Sequence, residues 1–195
     1  MRKLLAILSL CCCLQLLAHD IQSDARLLDK ETGATCTERE DYRFDVSFGT
    51  DSEGYIGRIF VRGYTSQDDS TRMEFESDLV ERLAEMPSAE EAAGYVNDKT
   101  DINFDGIPDV MVFIGRNCVG RVAEYYAAFV WNDEDKRFSM VLDFDQISNP
   151  IVHPDSKTIT SSLRTDAVEI TTWTYAWVDG YLEIIDETTS TFGDE

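Results

Sequence analysis

Positive charge is what this chain has least of. In 195 residues, 17 Lys and Arg stand against 38 Asp and Glu, a formal net charge of −21. Proteins bind phosphate polyanions by exchanging counterions for Lys and Arg, so nucleic acid is excluded as a partner and an anionic lipid surface is disfavoured. Histidine is scarcer still, with two residues, His19 and His153. Neither stands in a GxSxG or HExxH context, and no enzyme activity is expected. The carboxylates could in principle furnish a glycosidase pair, but no spacing in the sequence marks one, and an acidic solvated surface is the simpler account. With four prolines and no Pro-, Gly- or Ser-rich stretch, the chain has no linker, so one domain is expected.

Long apolar runs are confined to residues 4–17, which follow Arg2 and Lys3 and precede Ala18. This is the layout of a secretory signal peptide, too short to span a bilayer. The expectation is a signal peptide over 1–18 cleaved near Ala18, a periplasmic or secreted product, and no transmembrane segment. Three of the five cysteines, Cys11, Cys12 and Cys13, leave with it. A lipid anchor on one of them is the alternative, although Leu10 is bulky where a small residue is wanted. Cys36 and Cys118 remain, and an even count in an exported chain points to one disulfide between them, worth at most about 4–5 kcal/mol in the chain-entropy account; two free buried thiols are the alternative. No CxxC or paired histidine suggests a thiolate metal site.

Oxygen donors, by contrast, are concentrated. Asp101, Asn103, Asp105 and Asp109, with the carbonyl of Ile107, form a DxNxDGxxD loop. A hard divalent cation takes roughly six to eight oxygens at about 2.3–2.6 Å, and Gly106 stands where the loop must turn through a conformation that a Cβ obstructs. The expected ligand is Ca2+. An EF-hand is excluded because Val112 replaces the closing bidentate glutamate and residues 110–114 read as a buried strand instead of a helix. The metal's expected part is structural; an acidic turn without metal is the alternative.

Elsewhere the pattern is that of strands. Tyr42, Phe44, Val46 and Phe48 alternate with polar residues, and further strands are expected at 55–62, 71–75, 110–115, 122–131, 137–144, 157–162, 167–177 and 181–188. Asn132 to Lys136 and Asp179-Gly180 are hairpin turns. Residues 78–94 are the one helical candidate, with capping-box pairs Asp78/Glu81 and Ser88/Glu91 divided by Pro87. Residues 19–40, without periodicity, read as an N-terminal arm, and 41–195 as a single all-β, mainly antiparallel domain holding the loop 101–109. Periodicity alone leaves sandwich, barrel and propeller open. Trp173 and Trp177 would share one face of a strand, as sheet packing more than as a sugar platform.

The loop, together with the order "FVWNDEDKRF", "DQISNPIVHPDSKTITSSLRT" and "WTYAWVDGYLEII", resembles a family of bacterial periplasmic proteins with a β-propeller-like domain and an integrin-type calcium loop. Members described as immunity proteins inhibit peptidoglycan hydrolases delivered by secretion systems. The resemblance covers roughly residues 95–188. It implies a propeller-like fold and a basic, lysozyme-like hydrolase as partner. In the family a serine-rich turn follows the strand equivalent to residues 157–160. The implied contact residues are therefore Ser161, Ser162, Arg164, Thr165 and Asp166, on a loop between two strands; Leu163 departs from the usual small residue. The rival expectation is a calcium-stabilised surface or adhesion module.

Overall fold

The computed structural model describes residues 42–65, 69–117, 122–166 and 168–191. The signal peptide, the arm at 19–40 and both Cys36 and Cys118 lie outside the described residues. Among the described residues eleven strands form three sheets, each a run of consecutive strands. The first holds β1 (Tyr42–Thr50), β2 (Ile56–Thr65) and β3 (Thr71–Leu83). The second holds β4 (Val96–Asn97), β5 (Val110–Asn117), β6 (Ala123–Asn132) and β7 (Arg137–Met140). The third holds β8 (Ile151–His153), β9 (Thr158–Arg164), β10 (Glu169–Val178) and β11 (Tyr181–Thr191). Every strand pairing among the described residues is antiparallel, as short turns between alternating segments require.

The second sheet has apolar residues on both faces, which is why β5 reads as the unbroken run VMVFI. Val110, Val112, Ile114, Ala127, Phe129 and Trp131 meet Ile59, Val61 and Met73 of the first sheet in one core. The alternate residues, Met111 and Ala128, join Ile102, Phe144, Ile147 and Ile159 in a second, where Tyr175 and Trp177 of the third sheet pack. Side chains of a strand point to opposite sides in turn, so one pair of strands serves two cores. The loop at 101–109 enters β5 at the seam between them.

The helical expectation at 78–94 is half corrected. Residues 78–83 belong to β3, whose inward positions Leu79 and Leu83 are four apart and fit either period. The opposite face decides: Arg62 pairs with Glu74 at 2.7 Å, and Arg58 with Glu76 at 2.9 Å and Asp78 at 3.1 Å, across neighbouring strands. Beyond Pro87 the helix does form, as α1 (Ala89–Ala93). Its box is complete: the Glu91 amide donates to Ser88 Oγ at 3.3 Å, and the Ser88 amide to Glu91 Oε2 at 2.8 Å. The strand expected at 137–144 stops at Met140, because Asp143 takes φ of 60° and starts a 3-10 turn over Phe144–Gln146. Asp179 and Gly180 make the expected two-residue hairpin, with φ of 50° and 87°.

Candidate metal centre

The loop is anchored before it turns. The Asn97 carboxamide oxygen accepts the Lys99 amide at 3.1 Å, its Nδ2 donates to Thr100 Oγ1 at 3.0 Å, and the Asp109 amide donates to the Thr100 carbonyl at 2.8 Å. The two ends are thereby closed, and the chain between them reverses through Phe104 and Gly106, at φ of 62° and 92°. At the second position a Cβ would be strained, and glycine is the residue that removes the strain.

Side-chain oxygens fold inward on the backbone. Asp101 Oδ2 accepts the Gly106 amide at 2.9 Å, Asn103 Oδ1 the Asp105 amide at 3.1 Å, and Asp105 Oδ1 the Ile107 amide at 2.7 Å. Asn103 Nδ2 also donates to Asp105 Oδ2 at 2.9 Å. Asp101 Oδ1 is buried and has no hydrogen-bond partner. A carboxylate oxygen held from water without a donor is unfavourable by roughly 1–3 kcal/mol or more, and a cation is the natural complement to it.

Asp109 is different. It is 0% exposed and serves as the hub of the loop: Oδ2 accepts the Ile102 amide at 2.8 Å and the Asn103 amide at 3.3 Å, and Oδ1 accepts the Trp131 amide of β6 at 3.0 Å. Burial pushes its carboxyl up to about 7. The amides of Trp131 and Ile102 pull the other way, and the charge of Asp105 adds to the rise. Asp105 is also raised, chiefly by desolvation of its carboxyl and further by Asp101. Among the described residues no group of three or more His, Cys, Asp or Glu forms a ready metal cluster. The loop's oxygens are of the kind a hard cation takes, and Asp101 Oδ1 is the one among them left without a partner.

The third sheet reaches the loop through a contact that sequence reading does not find. Trp177 Nε1 donates to the Ile102 carbonyl at 2.8 Å, across 75 residues of chain. The shared face of Trp173 and Trp177 was the available signal. The structure gives both packing and polar work to that face, with Trp173 Nε1 donating to Glu187 at 3.1 Å. His153 ends β8, its Nε2 within 2.8 Å of Thr160 Oγ1.

The residues expected on a contact loop are mostly not on a loop. Ser161, Ser162 and Arg164 lie in β9, and only Thr165 and Asp166 belong to the connection into β10. Ser161 is 2% exposed and hydrogen-bonded to the Ser148 carbonyl, so it faces the interior. The alternation Ile159, Ser161 inward and Ser162, Arg164 outward explains this: a small hydroxyl is buried where it finds a backbone acceptor. Arg164 Nε donates to the Asp166 carbonyl at 2.9 Å, and Asp166 Oδ1 accepts the amides of Val168 and Glu169 at 2.7 and 2.8 Å. The connection from Arg164 to Glu169 is therefore an ordered turn.

Among the described residues no helix is long and apolar enough to cross a membrane. Comparison with protein-family models finds no match, and comparison with curated proteins finds none. Among solved structures, a chain described as a Xanthomonas type IV secretion system related protein is similar over 84% of this chain and 88% of that one, at 16% identity and a TM-score of 0.49.

Proposed function

We propose that this is an exported calcium-binding protein, not an enzyme, whose three meanders act as blades of a propeller-like array and whose surface inhibits a peptidoglycan hydrolase in the periplasm. The observation that carries the metal reading is the buried, unpartnered Asp101 Oδ1 inside a loop of convergent oxygens. Calcium, when bound, supplies positive charge to carboxylates that otherwise repel. Asp101, Asn103, Asp105 and the Ile107 carbonyl hold it. Asp109 closes the loop against Ile102 and Trp131 and adds its charge. The seam between the two cores is then fixed from both sides, by Asp109 on β6 and by Trp177 on Ile102.

The inhibitory reading rests on the family resemblance and on charge. A hydrolase that works on an anionic wall polymer benefits from a basic surface, and a chain of net charge −21 is attracted to it over long range. Ser162, Arg164, Thr165 and Asp166 form the contact in this proposal, and Ser161 is left out because it is buried. Arg164 supplies a guanidinium able to pair with a carboxylate of the hydrolase cleft. Purified protein should slow the loss of turbidity of a cell-wall suspension treated with its hydrolase, with inhibition titrating near one to one. Arg164→Ala should weaken inhibition about tenfold or more, the loss expected for one charged pair at an interface, while the loss of its exposed hydrogen bond to the Asp166 carbonyl lowers the melting temperature only slightly. Undiminished lysis across muramidases and amidases, with no hydrolase recovered from envelope extract, would turn the reading to an adhesion module.

A further inference from the structure

We propose that the free edge of β11 is a strand-addition site for an extended, basic segment of a partner protein, one in which Lys or Arg alternates with apolar residues. The proposal rests on neither the calcium reading nor the inhibitor reading.

β11 ends its sheet. Among the described residues it pairs with β10 alone. It is 11 residues long, and each residue from Glu183 to Thr191 is exposed. An edge of that length leaves a row of backbone amides and carbonyls open to solvent, and folded proteins commonly shorten such an edge or set Pro or Lys on it. The sequence YLEIIDETTST has neither, and its Ile and Thr favour extended backbone. Apolar side chains are open as well, Ile184 and Ile185 at 54% exposure each. The ladder to β10 slips once, with Tyr175 opposite Ile184 and Thr174 opposite Asp186, so Ile185 is the extra residue of a bulge and residues 186–191 run on in regular register to Glu169.

The two faces of the strand decide what the edge accepts. Leu182 stands opposite Trp177 and Ile184 opposite Tyr175, rings that pack on the second core, so this face is apolar up to the bulge. Beyond it Glu187 accepts Trp173 Nε1 at 3.1 Å. Glu183 stands opposite Ala176 and Asp186 opposite Thr174, on the other face. Among the described residues neither of these carboxylates has an ion pair or a hydrogen bond.

β11 carries no Lys or Arg. A second copy laid on this edge would set acidic residues beside acidic residues in a chain of net charge −21, which opposes self-pairing. A strand with basic residues on one face and apolar residues on the other meets Glu183 and Asp186 with the first and Leu182 and Ile184 with the second. Main-chain hydrogen bonds then supply affinity, and the alternation selects the partner.

Titration of the whole protein with three capped octapeptides tests this, followed by hydrogen exchange and resonance shifts of the β11 amides that face away from β10. The peptides alternate lysine with valine, glutamate with valine, and lysine with proline; the last keeps the charge but lacks the amides of a continuous ladder. The lysine-valine peptide should shift these amides saturably and slow their exchange, the glutamate-valine peptide should do neither, and the lysine-proline peptide should leave exchange unchanged. The double variant Glu183→Gln, Asp186→Asn keeps both side-chain shapes and should weaken lysine-valine binding about tenfold, with exchange in the free protein unchanged. No shift at millimolar lysine-valine peptide, equal slowing of exchange by any other peptide, or equal binding by wild type and double variant would overturn the proposal. So would slow exchange at these amides in the free protein, as cover by another part of the chain or, where it quickens on dilution, as pairing with a second copy.

Discussion

Asp101 and Asp109 bracket one loop but hold different places in it, and substitution should separate them. Removing Asp109 leaves the buried amides of Ile102 and Trp131 without acceptors. Asp109→Ala should therefore destabilise the protein by about 2–5 kcal/mol in chelator as well as in calcium, measured by denaturant unfolding. Asp101→Ala removes the orphaned oxygen and one acceptor to the Gly106 amide. It should leave the chelator midpoint nearly unchanged and abolish the response to calcium. The pH dependence follows from the same carboxyls. Asp109 is raised in the folded state from 3.8 to about 7, so the folded protein holds that proton more tightly than the unfolded chain. The stability it contributes is complete below the unfolded value and is lost as pH rises to about 7. In chelator the melting midpoint should fall across this window, and in calcium the fall should be smaller. Equal slopes would count against the site. The loop's oxygen-bearing residues are legible in sequence because their spacing is local. The hub position of Asp109 is not, because its partner Trp131 lies on another strand.

At the scale of elements, alternation and turn residues announced most strands, including the hairpin at Asp179-Gly180. β4 and β8 are two and three residues long, too short to carry a period. The end of β3 is ambiguous in sequence because Leu79 and Leu83 fit both periods; its pairing with β2, a contact sequence cannot display, makes it strand. The placement of Ser161, Ser162 and Arg164 on a loop failed for a related reason, while Thr165 and Asp166 do lie in the connection. Serine is polar, yet Ser161 is buried where Ser148 supplies an acceptor. One position tests how the sheets are joined. Gly115 has φ of 126°, and a Cβ there would crowd backbone atoms of Val80 and Glu81. Gly115→Ala should cost about 1–3 kcal/mol, through strain and through displacement of β3 from β5. Hydrogen exchange should show the amides of residues 79–83 losing protection while those of β10 and β11 keep theirs. Uniform loss across all three sheets would contradict this local role.

For the molecule as a whole, a high negative charge and two cores sharing one central sheet make stability depend on how the loop at the seam is held. The antiparallel β class was legible from composition and period. The stacking of three meanders was not, since it depends on which face of β5 and β6 meets which neighbour. If the loop binds calcium only when folded, binding and folding are linked, and at a concentration about 100 times the dissociation constant the gain is about 2.7 kcal/mol. For a chain of this size that is a rise of roughly 5–10 °C in melting temperature. Calorimetric melting of the wild type and of Asp101→Ala, each in chelator and in millimolar calcium, is the most direct test. The account predicts a rise of that order for the wild type and none for Asp101→Ala; a wild-type melting temperature identical in chelator and calcium would contradict it.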